Sequence, residues 1–302
     1  MLQRRTDLAV EAHALWQENA GEAGALPGVR VREDQREGFP VTRAEILDAQ
    51  GAAALGKPVG RYTTVDLTGL VRRESGAFSR AVQALAGELS SLLKGLSPAA
   101  PVLVAGLGNR AVTPDAVGPR AADQTLVTRH LVEQLPGQFG ALRPVSAVAA
   151  GVLGTTGLES GELIRAVVRQ TRPACVIAVD ALAARSLERV CRTVQLSDTG
   201  IVPGSGVGNA RAALNEQTLG VPVYAVGAPT VVDGATLAAD LLSGAGLGEM
   251  EPESLRGGET GLFVTPRDID ERVADLSRVI GYGLTLALQP GLTLSDLELL
   301  LS

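Results

Sequence analysis

Two aspartates, Asp115 and Asp180, are the residues of this sequence best suited to chemistry. Asp180 follows the apolar run Cys175 to Val179, and Asp115 comes after the predicted buried strand Val102 to Gly106. A charged side chain at the rim of an apolar core is costly unless it is paired or functional. Two carboxylates in one crevice do not both ionise readily, so one can keep a proton while the other activates a water. The pair predicts acid–base chemistry on water.

Each aspartate also has a structural interpretation. Asp115 stands just ahead of a helix whose start is marked by Pro119, where it could serve as an N-cap. Asp180 could cap a helix or form an ion pair with Arg185. The residue pattern leaves these alternatives open.

Other catalytic groups are scarce. The chain has two histidines, His13 and His130, and His130 falls inside a predicted helix, so a Ser-His-Asp triad has few candidates. No HxxxH spacing occurs, and Cys175 and Cys191 form no CxxC pair. Cys175 opens an apolar strand, where a buried thiol is expected. We predict neither a metal nor a cofactor.

Two glycine-rich segments border the predicted site. Residues 106–111 match G-x-G-x-x-A, but Pro114 follows where a nucleotide-binding helix should start, so a nicotinamide cofactor is disfavoured. Residues 203–209 resemble a phosphate-binding loop without its Lys-Ser/Thr. We interpret the second segment as a loop that lets a substrate backbone approach closely; its candidate residues are Gly204, Ser205, Gly206, Gly208 and Asn209.

A single Asp-Thr-Gly tripeptide begins at Asp198. Pepsin-like proteases need two such loops in a β-rich fold, so Asp198 is interpreted as a turn residue near the site, with a direct role left as an alternative.

The elements that must position these residues predict an α/β fold. After a helix from Thr6 to Ala20, alternating segments at 29–33 and 61–67 indicate a small antiparallel β elaboration within residues 28–70. Beyond Pro98, buried strands alternate with helices, which is typical of a three-layer, mostly parallel sheet flanked by helices. The predicted helices include 117–135 and 182–189, and residues 244–262 are predicted to form a mobile loop.

Composition excludes several classes of function. The 302 residues carry a formal net charge of -6, and the arginines are scattered, so we expect no direct nucleic-acid partner. No stretch of about 18 uninterrupted apolar residues is present, and the N-terminus does not resemble a secretion signal. We expect no membrane association and a cytoplasmic location.

A series of motifs resembles the germination proteases of spore-forming bacteria. In chain order they are Arg-Thr-Asp-Leu-Ala-Val-Glu (5–11), Gly-Leu-Gly-Asn (106–109), Thr-Pro-Asp-Ala (113–116), Val-Thr-Arg-His-Leu (127–131), Arg-Pro-Val-Ser-Ala (143–147), Asp-Ala-Leu-Ala-Ala-Arg (180–185), Ser-Asp-Thr-Gly-Ile (197–201), Pro-Gly-Ser-Gly-Val-Gly-Asn (203–209) and Pro-Thr-Val-Val-Asp (229–233).

The resemblance implies an endopeptidase of the spore core that starts the degradation of small acid-soluble spore proteins during germination. It also implies a homotetramer, an inactive precursor, and a fold similar to the hydrogenase maturation proteases. The family is regarded as atypical aspartic proteases, and its two proposed catalytic aspartates correspond to Asp115 and Asp180. Asn109, Arg185 and Asp198 lie in matching motifs and are candidates for supporting roles.

The family cuts after an acidic residue that follows Ser or Thr and precedes a hydrophobic residue and Ala. Thr6-Asp7-Leu8-Ala9 fits this pattern, so self-processing is expected between Asp7 and Leu8. Residues 1–7 would then be a propeptide and 8–302 a single peptidase domain. The remaining alternatives are a metal-dependent peptidase with the same aspartates as ligands, a non-catalytic binding protein for spore proteins, and a nucleotide-binding oxidoreductase.

Overall fold

The computed structural model describes residues 6–20, 26–247, 250, 252–255 and 261–301. Within these ranges one mixed sheet forms the centre of the molecule. Its strands are β1 (Val29–Arg36), β2 (Phe39–Ile46), β3 (Gly60–Asp66), β4 (Val102–Leu107), β5 (Val145–Gly151), β6 (Cys175–Ala184), β7 (Thr193–Ser197), β8 (Val223–Asp233) and β9 (Phe263–Val264).

Helices connect the strands and cover the sheet. They are α1 (Ala9–Ala20), α2 (Ala49–Leu55), α3 (Thr68–Val71), α4 (Ala77–Leu92), α5 (Val117–Asp123), α6 (Arg129–Gln134), α7 (Pro136–Phe139), α8 (Leu153–Thr156), α9 (Ser160–Thr171), α10 (Glu216–Leu219), α11 (Gly234–Gly244), α12 (Pro252–Leu255), α13 (Ile269–Leu288) and α14 (Leu294–Leu300).

The order of the strands is β1-β2-β3-β7-β8-β6-β4-β5, and β9 pairs with the end of β8. The prediction of a mostly parallel sheet is correct only for the centre, where β5, β4, β6 and β8 run parallel. The strands from β1 to β3 pair antiparallel, and β7 joins them to β8 antiparallel on both sides. The elaboration at residues 28–70 is therefore an extension of the same sheet. A five-residue strand such as β7 gives too short a pattern to predict.

The central strands are buried on both faces, so successive side chains enter different cores. On β4, Val102 and Val104 pack with α4, α5 and α13, whereas Leu103 and Ala105 pack with Ile164 of α9. This alternation produces the three layers expected of the chain. A third cluster packs α1 and α2 against the antiparallel extension.

Two of the predicted helices are wrong. The segment 117–135 contains two helices, α5 and α6, because the Thr125 hydroxyl bonds back to the Ala121 carbonyl and the Leu126 amide bonds to Thr285 of α13. His130 therefore lies in the first turn of α6. The segment 182–189 is not helical: β6 continues to Ala184, where it is still paired with Val232 of β8.

Residues 244–262, predicted to be a mobile loop, lie partly outside the described residues, and α12 is the helix described there. In the parts of the chain that the structure describes, we find no helix that is both long enough and apolar enough to cross a membrane.

Candidate active site

Asp115 is held in place by the loop that follows β4. The chain leaves β4 at Gly108, whose φ is +105°, and Thr113 to Asp115 form a short 3-10 turn ahead of α5. The carboxylate oxygen Oδ2 accepts the backbone N–H of Asn109 at 2.7 Å. Ala116, not Asp115, is the N-cap of α5, and it makes no side-chain capping bond. The helix-cap interpretation of Asp115 is therefore wrong.

Asp180 lies inside β6, not beyond it, opposite Gly227 of β8. The prediction that it follows the strand is corrected because the long strand β8 extends the pairing of β6 to Ala184. The side chain is 5% exposed, and Oδ1 accepts the N–H of Ala181 at 2.9 Å. The Arg185 guanidinium pairs with Asp240 Oδ1 at 3.4 Å. In the described structure Asp180 takes part in no salt bridge, so the ion-pair alternative is also wrong.

Both carboxyl groups have environments that favour the protonated form. Burial raises the pKa of Asp115, and the hydrogen bond from Asn109 lowers it in part. Burial raises the pKa of Asp180 well above its ordinary value, and the charges of Asp115 and Asp7 raise it further against the bond from Ala181. Asp180 is the more deeply buried group and experiences the charge of Asp115. It is therefore the better proton holder, and Asp115 is the better base.

One crevice brings the two aspartates together. The cavity has a volume of about 530 Å³ and is lined by both aspartates, by Asn109 and by the loop from Pro203 to Val207 together with Asn209. Apart from Gly208, every residue predicted for the substrate loop therefore faces the space in front of the carboxylates. Gly204 and Gly208 have φ of 73° and 72°, which a side chain would strain.

Asp7 occupies the same crevice. Its backbone N–H bonds to the Ala183 carbonyl at 3.0 Å, and its carboxylate accepts the Ala183 N–H and the Ser205 hydroxyl, both at 2.9 Å. The Asp7 carbonyl accepts the side-chain amide of Gln195 at 3.1 Å. The next residue, Leu8, is fully buried. The predicted cleavage bond thus begins within the crevice, with its carbonyl directed at Gln195.

The three residues predicted to support the aspartates do not all lie in the crevice. Asp198 holds the start of β3 through the backbone N–H and the guanidinium of Arg61, both at 2.7 Å, and it does not line the crevice. Asn109 contacts Asp115 through its backbone, and its side chain accepts the N–H of Ala111. Arg185 also lies outside the residues that line this cavity.

The cysteines are buried and lie away from the crevice. Burial raises the pKa of Cys175 and of Cys191 to about 12, so neither is a thiolate at neutral pH. Among the described residues no group of three His, Cys, Asp or Glu side chains is arranged to hold a metal ion. Gly106, in the segment that resembles a nucleotide-binding motif, allows α5 to pack closely on β4, since a Cβ there would lie 2.3 Å from the Gly118 carbonyl.

Two residues around Asp7, Lys57 and Gln195, line a neighbouring cavity and were not predicted from the sequence. Lys57 stands in the turn after α2, and Gln195 lies in β7 with its side chain bonded on both sides of Leu8, to the Asp7 carbonyl and the Ala9 N–H. Neither belongs to a motif, and each comes near Asp7 only through the antiparallel part of the sheet. No local pattern could have identified them.

The fold and the site define a three-layer α/β protein with one buried and one half-buried carboxyl group in the same crevice, an arrangement suited to hydrolysis. A model of the germination protease family matches residues 9–244. The chain is 44% identical to the germination protease of Caldanaerobacter subterraneus subsp. tengcongensis and 40% identical to that of Clostridium perfringens, and these alignments cover 97–98% of this chain and 98% of each relative. A Bacillus cereus germination protease is 45% identical over 79% of this chain and 65% of its own length.

This chain therefore belongs to the germination protease family, and it is an endopeptidase.

Proposed function

We propose that this endopeptidase starts the degradation of small acid-soluble spore proteins during germination, with Asp115 and Asp180 as its catalytic acid–base pair. The observation that carries the proposal is the shared crevice, in which two carboxyl groups with raised pKa face a loop of glycines. The family supports the substrates, and the acidic chain fits a protein that does not itself bind DNA.

The reaction follows from the environments of the two groups. Ionised Asp115 accepts a proton from water, whose oxygen attacks the peptide carbonyl carbon, while protonated Asp180 donates a hydrogen bond to the carbonyl oxygen. The tetrahedral intermediate breaks at the C–N bond when a proton passes to the amine nitrogen. The products are a carboxylate and a free amine, and no other reactant is consumed.

Substitution of each aspartate tests this assignment. Asp115→Asn and Asp180→Asn should each reduce cleavage of a Thr-Glu-Phe-Ala peptide by about 10³-fold or more, because one half of the acid–base pair is lost. Asp123→Asn is the matched control, since Asp123 is exposed and pairs with Arg110. Turnover within about tenfold of the parent in either variant would remove that residue from the mechanism.

Metal-dependent hydrolysis is the alternative, with the same two aspartates as ligands and a fold like that of the hydrogenase maturation proteases. Dialysis against a chelator followed by assay separates the two mechanisms. The acid–base pair predicts unchanged turnover. Loss of turnover that is restored by one divalent cation would favour the alternative.

The proposal includes self-processing between Asp7 and Leu8, a homotetramer, and a location in the spore core. The position of Asp7 in the crevice supports self-processing. Mass spectrometry of the chain after incubation at mildly acidic pH should show loss of residues 1–7, and the Asp180→Asn variant should keep them. Light scattering of the same samples measures the number of subunits.

A further inference from the structure

The carboxylate of Asp7 lies in a binding pocket that other parts of the same chain form. Its Oδ2 accepts the Ala183 N–H and its Oδ1 accepts the Ser205 hydroxyl, each at 2.9 Å. Both contacts are made by groups from separate parts of the chain, about 180 to 200 residues away along the sequence. Each carboxylate oxygen of Asp7 therefore accepts one hydrogen bond, from the Ala183 N–H or from the Ser205 hydroxyl. Such paired donors are typical of a carboxylate-binding site.

The main chain of Asp7 uses the free edge of β6. Strand β4 pairs with β6 only as far as Gly106 opposite Val179, and beyond that point the structure describes no strand beside β6 on the β4 side. The Asp7 N–H bonds to the carbonyl of Ala183, which lies in this unpaired stretch. A peptide that adds to this edge would enter the crevice in the same way, as in other cases of β-strand addition.

Gly206 leaves space for the carboxylate in this pocket. A Cβ at position 206 would lie 2.0 Å from Asp7 Oδ2 and 2.7 Å from the Cβ of Ala183. Only glycine leaves room for a carboxylate between the loop and β6.

Lys57 supplies a positive charge near this carboxylate. It lines a second cavity of about 440 Å³ together with Asp7, Ser205 and Gly206. Burial lowers the pKa of Lys57, and the negative charges of Asp7 and Glu11 raise it. A serine hydroxyl can accept as well as donate, so the two hydrogen bonds alone would also suit an amide. The charge of Lys57 is what favours an acid over its amide.

We propose that the Ala183 N–H, the Ser205 hydroxyl and the Lys57 ammonium form the subsite for the acidic side chain of a substrate, and that Asp7 occupies this subsite in the uncut chain. This inference rests on the proposed function. It adds which residues recognise the acidic side chain, and it makes Asp7 an internal competitor of the substrate.

A pair of peptides that differ only in Glu or Gln before the cleaved bond tests the subsite. Lys57→Met should lower the ratio of kcat/KM for the Glu peptide to that for the Gln peptide by about tenfold, because the positive charge near the acidic side chain is lost. Ser205→Ala should lower kcat/KM for both peptides, because the serine hydroxyl can bond to an acid or to its amide. Lys94→Met is the matched control, since Lys94 is the only other lysine and is exposed. An unchanged ratio in Lys57→Met would overturn the proposal.

A binding measurement keeps this test separate from the proposed function. The full chain with Asp180→Asn and the same chain with Asp7→Asn added are titrated with the fluorescently labelled Glu peptide, and anisotropy reports the Kd. Removal of the competing carboxylate should lower the Kd about tenfold for both peptides, because an internal competitor weakens the binding of every ligand of the subsite by the same factor. Equal Kd values in the two proteins would contradict the occupancy by Asp7. Failure of the parent to cleave either peptide would instead contradict the proposed function, while the binding result still decides the subsite.

Discussion

Gly118 in the first turn of α5 lies against the carbonyl oxygen of Val179, so that a Cβ on residue 118 would come within 2.3 Å of that oxygen. The same Cβ would lie 2.3 Å from the carbonyl of Leu107 in β4. Asp115 precedes Gly118 by three residues, and Asp180 follows Val179 directly. The close contact of helix and strands therefore brings the two aspartates to one crevice.

Gly118→Ala should damage both stability and turnover. Neither backbone carbonyl can move without disturbing the sheet, so overpacking should cost about 1–3 kcal/mol of unfolding free energy. Gly137→Ala is the matched control, because a Cβ at this exposed helical glycine meets nothing within 4 Å. Urea unfolding and peptide cleavage measure the two effects. A Gly118→Ala protein as stable and active as Gly137→Ala would show that the close approach is not required.

The raised pKa of Asp180 predicts a gain of stability in Asp180→Asn above acidic pH. A carboxyl group with a raised pKa in the folded state contributes stability that is complete below its ordinary pKa, near 3.8, and is lost as the pH rises through the folded value. Asparagine does not ionise, so the variant should have a higher Tm than the parent at pH 7 and above. The difference should shrink toward pH 4.

Calorimetry across this pH range measures the effect, and a gain of 1 kcal/mol corresponds to about 2–4 °C in a protein of this size. Asp123→Asn should show no such pH-dependent gain, because Asp123 is exposed. An Asp180→Asn protein that is less stable than the parent at pH 8 would show that the ionised group is accommodated in the fold.

The position of Asp180 was predictable from sequence because a charge interrupts an apolar strand, and that of Asp115 because it lies in the loop after another apolar strand. The contacts that residues distant in sequence make around the site were not predictable. Gln195 and Lys57 come near Asp7 from β7 and from the turn after α2, and strand order in the antiparallel part of the sheet determines that approach. The extension of β6 to Ala184 depended likewise on pairing with β8, and the sequence 181–184 alone equally suits a helix.

The two cysteines should be unreactive in the folded enzyme. Burial raises the pKa of both thiols to about 12, so the thiolate fraction at pH 8 is negligible. Iodoacetamide at pH 8 should leave turnover unchanged, and the double variant Cys175→Ala, Cys191→Ala should cleave peptide despite some loss of stability. Alkylation detected by mass spectrometry should occur only after urea is added. Rapid alkylation with loss of turnover in the native enzyme would contradict the buried placement.

Glu11 of α1 should stabilise the chain just after β6, the strand that contains Asp180. This buried carboxylate accepts the backbone N–H groups of Arg185 at 2.8 Å and of Ser186 at 3.1 Å. Glu11→Ala leaves both donors without this acceptor, which should cost about 2–3 kcal/mol of unfolding free energy. Turnover should fall as well, because the strand that carries Asp180 loses its anchor.

Glu133→Ala is the matched control for Glu11→Ala, since Glu133 is 54% exposed and pairs with Arg129 within one helix. Its effect should stay within about 0.5 kcal/mol. Urea unfolding of the two variants beside the parent measures the difference. Because Glu11 also accepts the hydroxyl of Thr6, hydrogen exchange at Arg185 and Ser186 should accelerate in Glu11→Ala but much less in Thr6→Val, which removes one donor and keeps the carboxylate. Equal acceleration in both variants would assign the anchoring to Thr6 instead.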